Sequence, residues 1–245
     1  MCAAGCVCGR LFLHVPKTHD ARLVEDLRTR LAHVLWIGGG PQAGKTTLSR
    51  LLAGKWDLKI YNLDWHAVRE HAVPEHALRP GTAAAAFTRL SMDERWAVPS
   101  PVDLLERSIA VWQEGFALVL DDLLALPRSR TIVAEGPGAF PWCVAPLLSS
   151  PRQAIFLVPT LERREIVASR RWGAGQVERF PGIVERERAL KNVNARDVLL
   201  DARIVSSCAD LALRCEHVDG SLDLDASLEL LEEHFRPLLP DAMNA

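Results

Sequence analysis

Two spacings of apolar residues alternate along the chain, and each change from one to the other marks a predicted element. Leu23, Leu27 and Leu31 recur at helical spacing between Asp20 and Ala32 with charges between them, which predicts an amphipathic opening helix. His33-Val34-Leu35-Trp36-Ile37 is a continuous apolar run that ends in glycines, as expected of a strand buried on both faces. From Lys45 the helical spacing returns at Leu48, Leu51 and Leu52 and is predicted to close at Gly54. Leu58 to Leu63 reads as a second strand that delivers Asp64 at its carboxyl end. Trp65 to Pro99 has no sustained period, and residues 65–100 are expected to form an inserted substrate cap. From Pro101 the positions Leu105, Ile109, Trp112, Phe116, Val119 and Leu123 step by three or four and favour one long helix ending near Pro127. A competing reading makes Phe116 to Leu120 a strand ending in Asp121 and Asp122.

Thr131 to Ala134 is a further strand, followed by Glu135-Gly136-Pro137-Gly138, and Ala154 to Val158 is the next, stopped by Pro159. A basic helix with Arg163, Arg164, Arg170 and Arg171 follows, then a helix from about Glu185 towards Leu211. Arg214 to Val218 forms the last strand, and Leu224 to Phe235 the last amphipathic helix. Five short strands separated by helices predict an α/β protein: a five-stranded parallel sheet with helices on both faces, in one domain over residues 1–245.

Composition narrows the classes. Of 245 residues, 49% are hydrophobic and 24% charged, a globular balance. Lys and Arg number 29 against 31 Asp and Glu, so there is no net basic field to hold a long nucleic acid. No run approaches the ~18 apolar residues of a membrane span, and the N-terminus lacks a basic segment followed by an apolar one. These features predict a cytoplasmic protein, monomeric or homodimeric, without a membrane partner. Cys2, Cys6, Cys8, Cys143, Cys208 and Cys215 have no paired CxxC spacing and are expected to be reduced thiols. His66, His71 and His76 recur every five residues, which on an α-helix scatters them instead of gathering them for a metal.

The chemistry concentrates in Gly39-Gly40-Pro41-Gln42-Ala43-Gly44-Lys45-Thr46, which fits GxxxxGK(S/T) between a predicted strand and a predicted helix. Such a loop turns its backbone N–H groups inward, and the helix N-terminus adds the positive end of a dipole. Lys45 is then placed for β- and γ-phosphates, Thr46 for Mg²⁺, and Thr47 for the phosphate oxygens beside it.

At this loop the sequence resembles P-loop kinases of the nucleoside and nucleotide kinase group, whose fold is the P-loop NTPase three-layer sandwich. Asp64 resembles the acidic residue beside the acceptor hydroxyl in chloramphenicol phosphotransferase-like and shikimate kinase-like members. Ile132-Val133-Ala134-Glu135-Gly136 is similar to the strand ending in Glu-Gly of uridine kinase-like members, and the arginine-bearing helix falls where these kinases carry a lid, here residues 160–175. The second strand lacks the Asp-Arg pair of the nucleotide monophosphate kinases. The resemblance implies ATP and magnesium as cofactors and a small-molecule acceptor: a nucleoside, sugar, vitamin or antibiotic.

In that expectation Lys45 and the loop amides hold the donor, and Arg170 or Arg171, with Arg164, closes over the γ-phosphate. Glu135 binds Mg²⁺ through water or positions substrate, while Asp64 orients or deprotonates the acceptor hydroxyl. Trp65, His66 and Trp96 are candidates for stacking on a flat substrate. The alternatives are a zeta-toxin-like nucleotide-sugar kinase and a non-catalytic protein in which nucleotide orders a partner surface. A GTPase is disfavoured because no NKxD motif occurs, Asn194-Ala195-Arg196-Asp197 being a poor substitute, and an ABC ATPase because no LSGGQ-like signature occurs.

Overall fold

A computed structural model describes residues 21–71, 81–172 and 181–240. Its strands are β1 (Val34–Gly39), β2 (Lys59–Asn62), β3 (Ile132–Glu135), β4 (Ala154–Pro159) and β5 (Arg214–Val218). Its first helices are α1 (Ala21–Arg30), α2 (Lys45–Trp56), α3 (Leu63–His66), α4 (Ala83–Thr88) and α5 (Met92–Trp96). They are followed by α6 (Pro101–Ala125), α7 (Pro141–Val144), α8 (Leu161–Trp172), α9 (Arg186–Asp210) and α10 (Leu224–Phe235).

The strands form one parallel sheet in the order β2-β3-β1-β4-β5. β1 is central, with Trp36 opposite Ala134 on one side and Ala154 on the other. All six of its residues are buried, as the unbroken apolar run requires. Because side chains alternate along a strand, Val34 and Trp36 join the layer that holds Leu27 of α1, Leu31 just beyond it, Phe116 and Leu120 of α6 and Ile204 of α9. Leu35 and Ile37 face the opposite layer, with Leu52 of α2 and Leu231 and Phe235 of α10. Burying a side chain such as Phe116 or Leu52 contributes roughly 1.5–3 kcal/mol. Helices thus cover both faces, and the carboxyl ends of β1, β2, β3 and β4 open on one edge, where an open parallel sheet places its ligands.

α6 settles the ambiguity at Phe116 to Leu120 in favour of a single helix. Ser100 caps it, accepting the Asp103 N–H at 3.2 Å, Pro101 starts it, and Phe116, Val119, Leu120 and Leu123 are buried along one face. α2 departs from expectation: Gly54 lies inside it, and the left-handed stop falls at Asp57, φ 50°. Its last turn is held by Glu232 of α10, which pairs with Lys55 at 2.7 Å and accepts from Trp56 Nε1 at 2.8 Å, so tertiary contacts override the glycine.

The expected cap divides in two. Residues 63–71 follow β2 directly, whereas α4 and α5 lie on α6 and α9. The Glu114 carboxylate accepts from the Ala83 and Ala84 N–H groups at 2.7 and 3.0 Å, and Ala97 shares a small apolar cluster with Leu104, Ala189 and Val193. Residues 72–80 lie outside the described residues. Among the described residues no helix is long and apolar enough to cross a membrane.

Candidate functional site

The glycine loop leaves β1 at Gly39, φ 115°, where an added Cβ would fall 2.0 Å from the Leu157 carbonyl oxygen of β4, so only glycine fits. The Gly40 N–H donates to that same oxygen at 2.9 Å. Gln42 is also left-handed, φ 68°, half-buried Pro41 precedes it, and Ala43 is buried against α2. Gly44, φ 82°, caps α2 without any side-chain hydrogen bond, is exposed, and has open space around it. The first turn of α2 therefore presents its N–H groups and dipole at the loop mouth. Thr47 is exposed on that turn, its N–H turned back to Gly44 O at 3.1 Å.

Lys45, buried at the start of α2, folds across the loop so that Nζ donates to Gly40 O at 2.6 Å. Burial draws its pKa below the ordinary lysine value, while the charges of Glu135, Asp64 and Asp201 hold it up. Beside it, Thr46 Oγ1 donates to Glu135 Oε2 at 3.2 Å, and Asn62 Nδ2 donates to Glu135 Oε1. Burial raises the Glu135 carboxyl, opposed first by Lys45 and then by the Thr46 bond. Thr46 and Asn62 are its hydrogen-bond partners and Lys45 acts on it by charge; among the described residues no arginine forms an ion pair with it. Asn62 also caps α3, its Oδ1 accepting from the Trp65 N–H at 2.6 Å. Asp64 is therefore held in the first turn of a short helix and lines, with Thr46, Arg50, Trp65, Arg69 and Glu135, a cavity of about 420 Å³ beside the loop.

Arg164 occupies a different place from a mobile lid residue. It is 4% exposed in α8, ion-paired with Asp201 and at 3.5 Å with Asp197, and donates to Gln42 Oε1 at 3.3 Å. It supports the loop from its flank. Asp201 is raised to about 6 by burial in spite of that arginine. An added Cβ on Gly40 would fall 1.9 Å from Asp201 Oδ1, so the loop and α9 meet there. Arg170 is exposed on the last turn of α8; the side chain of Arg171, and residues 173–175 of the expected lid, lie outside the described residues.

Sequence reasoning brought Lys45, Thr46, Asp64 and Glu135 together and missed Asn62, Asp197 and Asp201. The signal for the last two was present: carboxylates at i and i+4 flanked by Leu200 and Ile204 fall on the buried face of α9. Trp65 is 52% exposed at the cavity, while Trp96 packs edge-on to Phe87, away from it. Cys143, Cys208 and Cys215 are free thiols, and Cys2, Cys6, Cys8 and His76 lie outside the described residues. The expectation that the histidines scatter is corrected. Ala67–His71 winds as a π-turn, whose i→i+5 repeat brings His66 and His71 to within 6.3 Å between ring centres.

The set fits a polyphosphate with its metal. A glycine loop at the N-terminus of α2 and a buried ammonium would suit phosphate oxygens, and the Thr46 hydroxyl beside the Glu135 carboxylate offers the hard oxygen donors that magnesium prefers. Fold and loop together define an α/β, P-loop NTPase-like three-layer sandwich. No protein-family model matches the sequence, and no curated protein matches it. Among solved structures the chain is similar to TT1252 from Thermus thermophilus, at 18% identity and a TM-score of 0.43, over 82% of this chain and 96% of that one.

Proposed function

We propose that this chain is an ATP- and magnesium-dependent kinase that transfers the γ-phosphoryl group to a hydroxyl of a small molecule. The observation that carries the reading is the convergence of Lys45, Thr46, Asp64 and Glu135 on one loop mouth with a cavity of about 420 Å³ beside it. Loop N–H groups and Lys45 hold phosphate oxygens, and Thr46 with Glu135 holds the metal. ATP would be the phosphoryl donor, and magnesium held there would supply neutralisation of the charge on the phosphates. Asp64, exposed at the cavity wall, orients the acceptor hydroxyl and takes its proton. Arg50 and Arg69 line the same cavity without an ion pair among the described residues, which favours an acceptor that also carries a negative group.

The test is a panel of hydroxyl acceptors with γ-labelled ATP and mass detection of one added phosphoryl group, run beside Lys45→Ala and Asp64→Asn. Both variants are expected to stay folded and to lose transfer by about 10²-fold or more. Transfer by Asp64→Asn at the wild-type rate removes its assigned role. ATP binding without transfer to any acceptor would favour the nucleotide-gated binding protein.

A further inference from the structure

On the α6 face of β2, opposite the cavity, Tyr61 begins a cluster that the phosphoryl site does not use. Tyr61 OH donates to Asp122 Oδ2 at 2.6 Å, and His71 Nε2 lies 2.8 Å from the same oxygen. His66 stacks on the Tyr61 ring, centroids 4.0 Å apart and 4° from parallel, and its Nδ1 is 2.6 Å from Glu70 Oε2. One donor atom from each of His66, Glu70 and Asp122 lies within 4.8 Å of the others.

We propose that His66, Glu70 and Asp122 bind a divalent first-row transition ion of the zinc type, which clamps the Leu63–His71 segment to α6. One imidazole and two carboxylates form a mixed nitrogen and oxygen set of the kind such ions take, whereas magnesium favours oxygen alone. Metal–donor distances of about 2.0–2.2 Å imply donors roughly 3.3–3.6 Å apart, so the His66–Glu70 contact, 2.6 Å in Nδ1 to Oε2, opens to admit the ion, and any wider separation, none above 4.8 Å, closes in. Both hydrogen bonds to Asp122 go to Oδ2, which leaves Oδ1 for the ion and makes Tyr61 and His71 its orienting partners.

The backbone is shaped for this convergence. His66 and Glu70 stand at i and i+4, a spacing that already sets them side by side, and the π-turn at Ala67–His71 brings the orienting His71 to the same side. Side-chain exposures of 20% for His66, 49% for Glu70 and 37% for Asp122 leave the cluster open to ion exchange. Asp64 precedes His66 by two residues, so the ion holds in place the segment that carries Asp64 and Trp65. The inference does not depend on the proposed reaction.

The experiment titrates the full-length chain with Zn²⁺ by calorimetry and with Co²⁺ by visible absorption, with circular dichroism to verify folding. One ion per chain is expected. Affinity should fall at least about tenfold in His66→Gln, Glu70→Gln and Asp122→Asn, and about tenfold in Tyr61→Phe, which removes an orienting hydrogen bond. Lys45→Ala should bind the ion as the wild type does. Absence of saturable binding overturns the site. So does equal affinity in folded His66→Gln and Glu70→Gln, which would place the ion elsewhere.

Discussion

Thr46 and Glu135 stand 89 residues apart in the chain and meet through a hydrogen bond of 3.2 Å. The meeting follows from topology: β1 and β3 are neighbours with Ile37 opposite Glu135, so the residue that ends β3 lies beside the helix that leaves the loop. Glu135→Gln keeps the shape and removes the charge. It is expected to fold normally, to lose magnesium-dependence of ATP binding, and to transfer phosphate about 10²-fold more slowly. Titration of Mg²⁺ against bound ATP, with rates measured in parallel, checks both effects.

Gly40 has no room for a side chain, because Asp201 Oδ1 stands 1.9 Å from where Cβ would sit. Gly40→Ala should destabilise the chain by about 1–3 kcal/mol, in the range of other overpacking substitutions. In the double variant with Asp201→Ala the loss should be less than the two single losses combined, because the sites are in contact. Denaturant unfolding of the four proteins in the cycle measures the coupling; strict additivity would deny the contact.

Asp201 also gives a pH signature. Burial raises its carboxyl from 3.8 to about 6, so between those values the native state keeps a proton that the unfolded chain has released. The stability this contributes is complete below about pH 4 and is lost as pH rises through about 6, at most about 3 kcal/mol in all. Asp201→Asn lacks the titration. The melting temperature of the wild type relative to Asp201→Asn should therefore fall from pH 4 to pH 7, and a flat difference would contradict the raised value.

Arg50 and Arg69 line the cavity from α2 and from the π-turn. Replacing either by alanine should raise KM for an anionic acceptor roughly tenfold or more, the loss expected for one charged hydrogen bond. KM for ATP should stay within about twofold. A change in the ATP constant alone would move these arginines to the donor side.

The sheet was legible because its strands announce themselves locally. Val34 to Ile37 is apolar throughout, and the glycine loop that follows has a spacing tied to one backbone shape. The pairing of Arg164 with Asp201 was not legible in the same way, since it joins two helices whose approach depends on where β4 and β1 lie. Gly54 misled because α2 gains Glu232 from a helix nearly 180 residues later, and a glycine is only weakly unfavourable inside a helix held from outside. The π-turn matches neither the strand period nor the helix period, so the approach of His71 to His66 carried no periodic signal, whereas Glu70 stands at i+4 from His66.

The central claim is tested most directly by calorimetric titration of the chain with ATP in the presence of Mg²⁺, beside Lys45→Ala. One saturable site per chain is expected, magnesium-dependent and weakened at least tenfold in a folded Lys45→Ala protein, the loss of a charge-assisted contact. An absence of saturable binding, or equal affinity in the variant, would contradict the assignment of the Gly39 to Thr46 loop as a phosphate site.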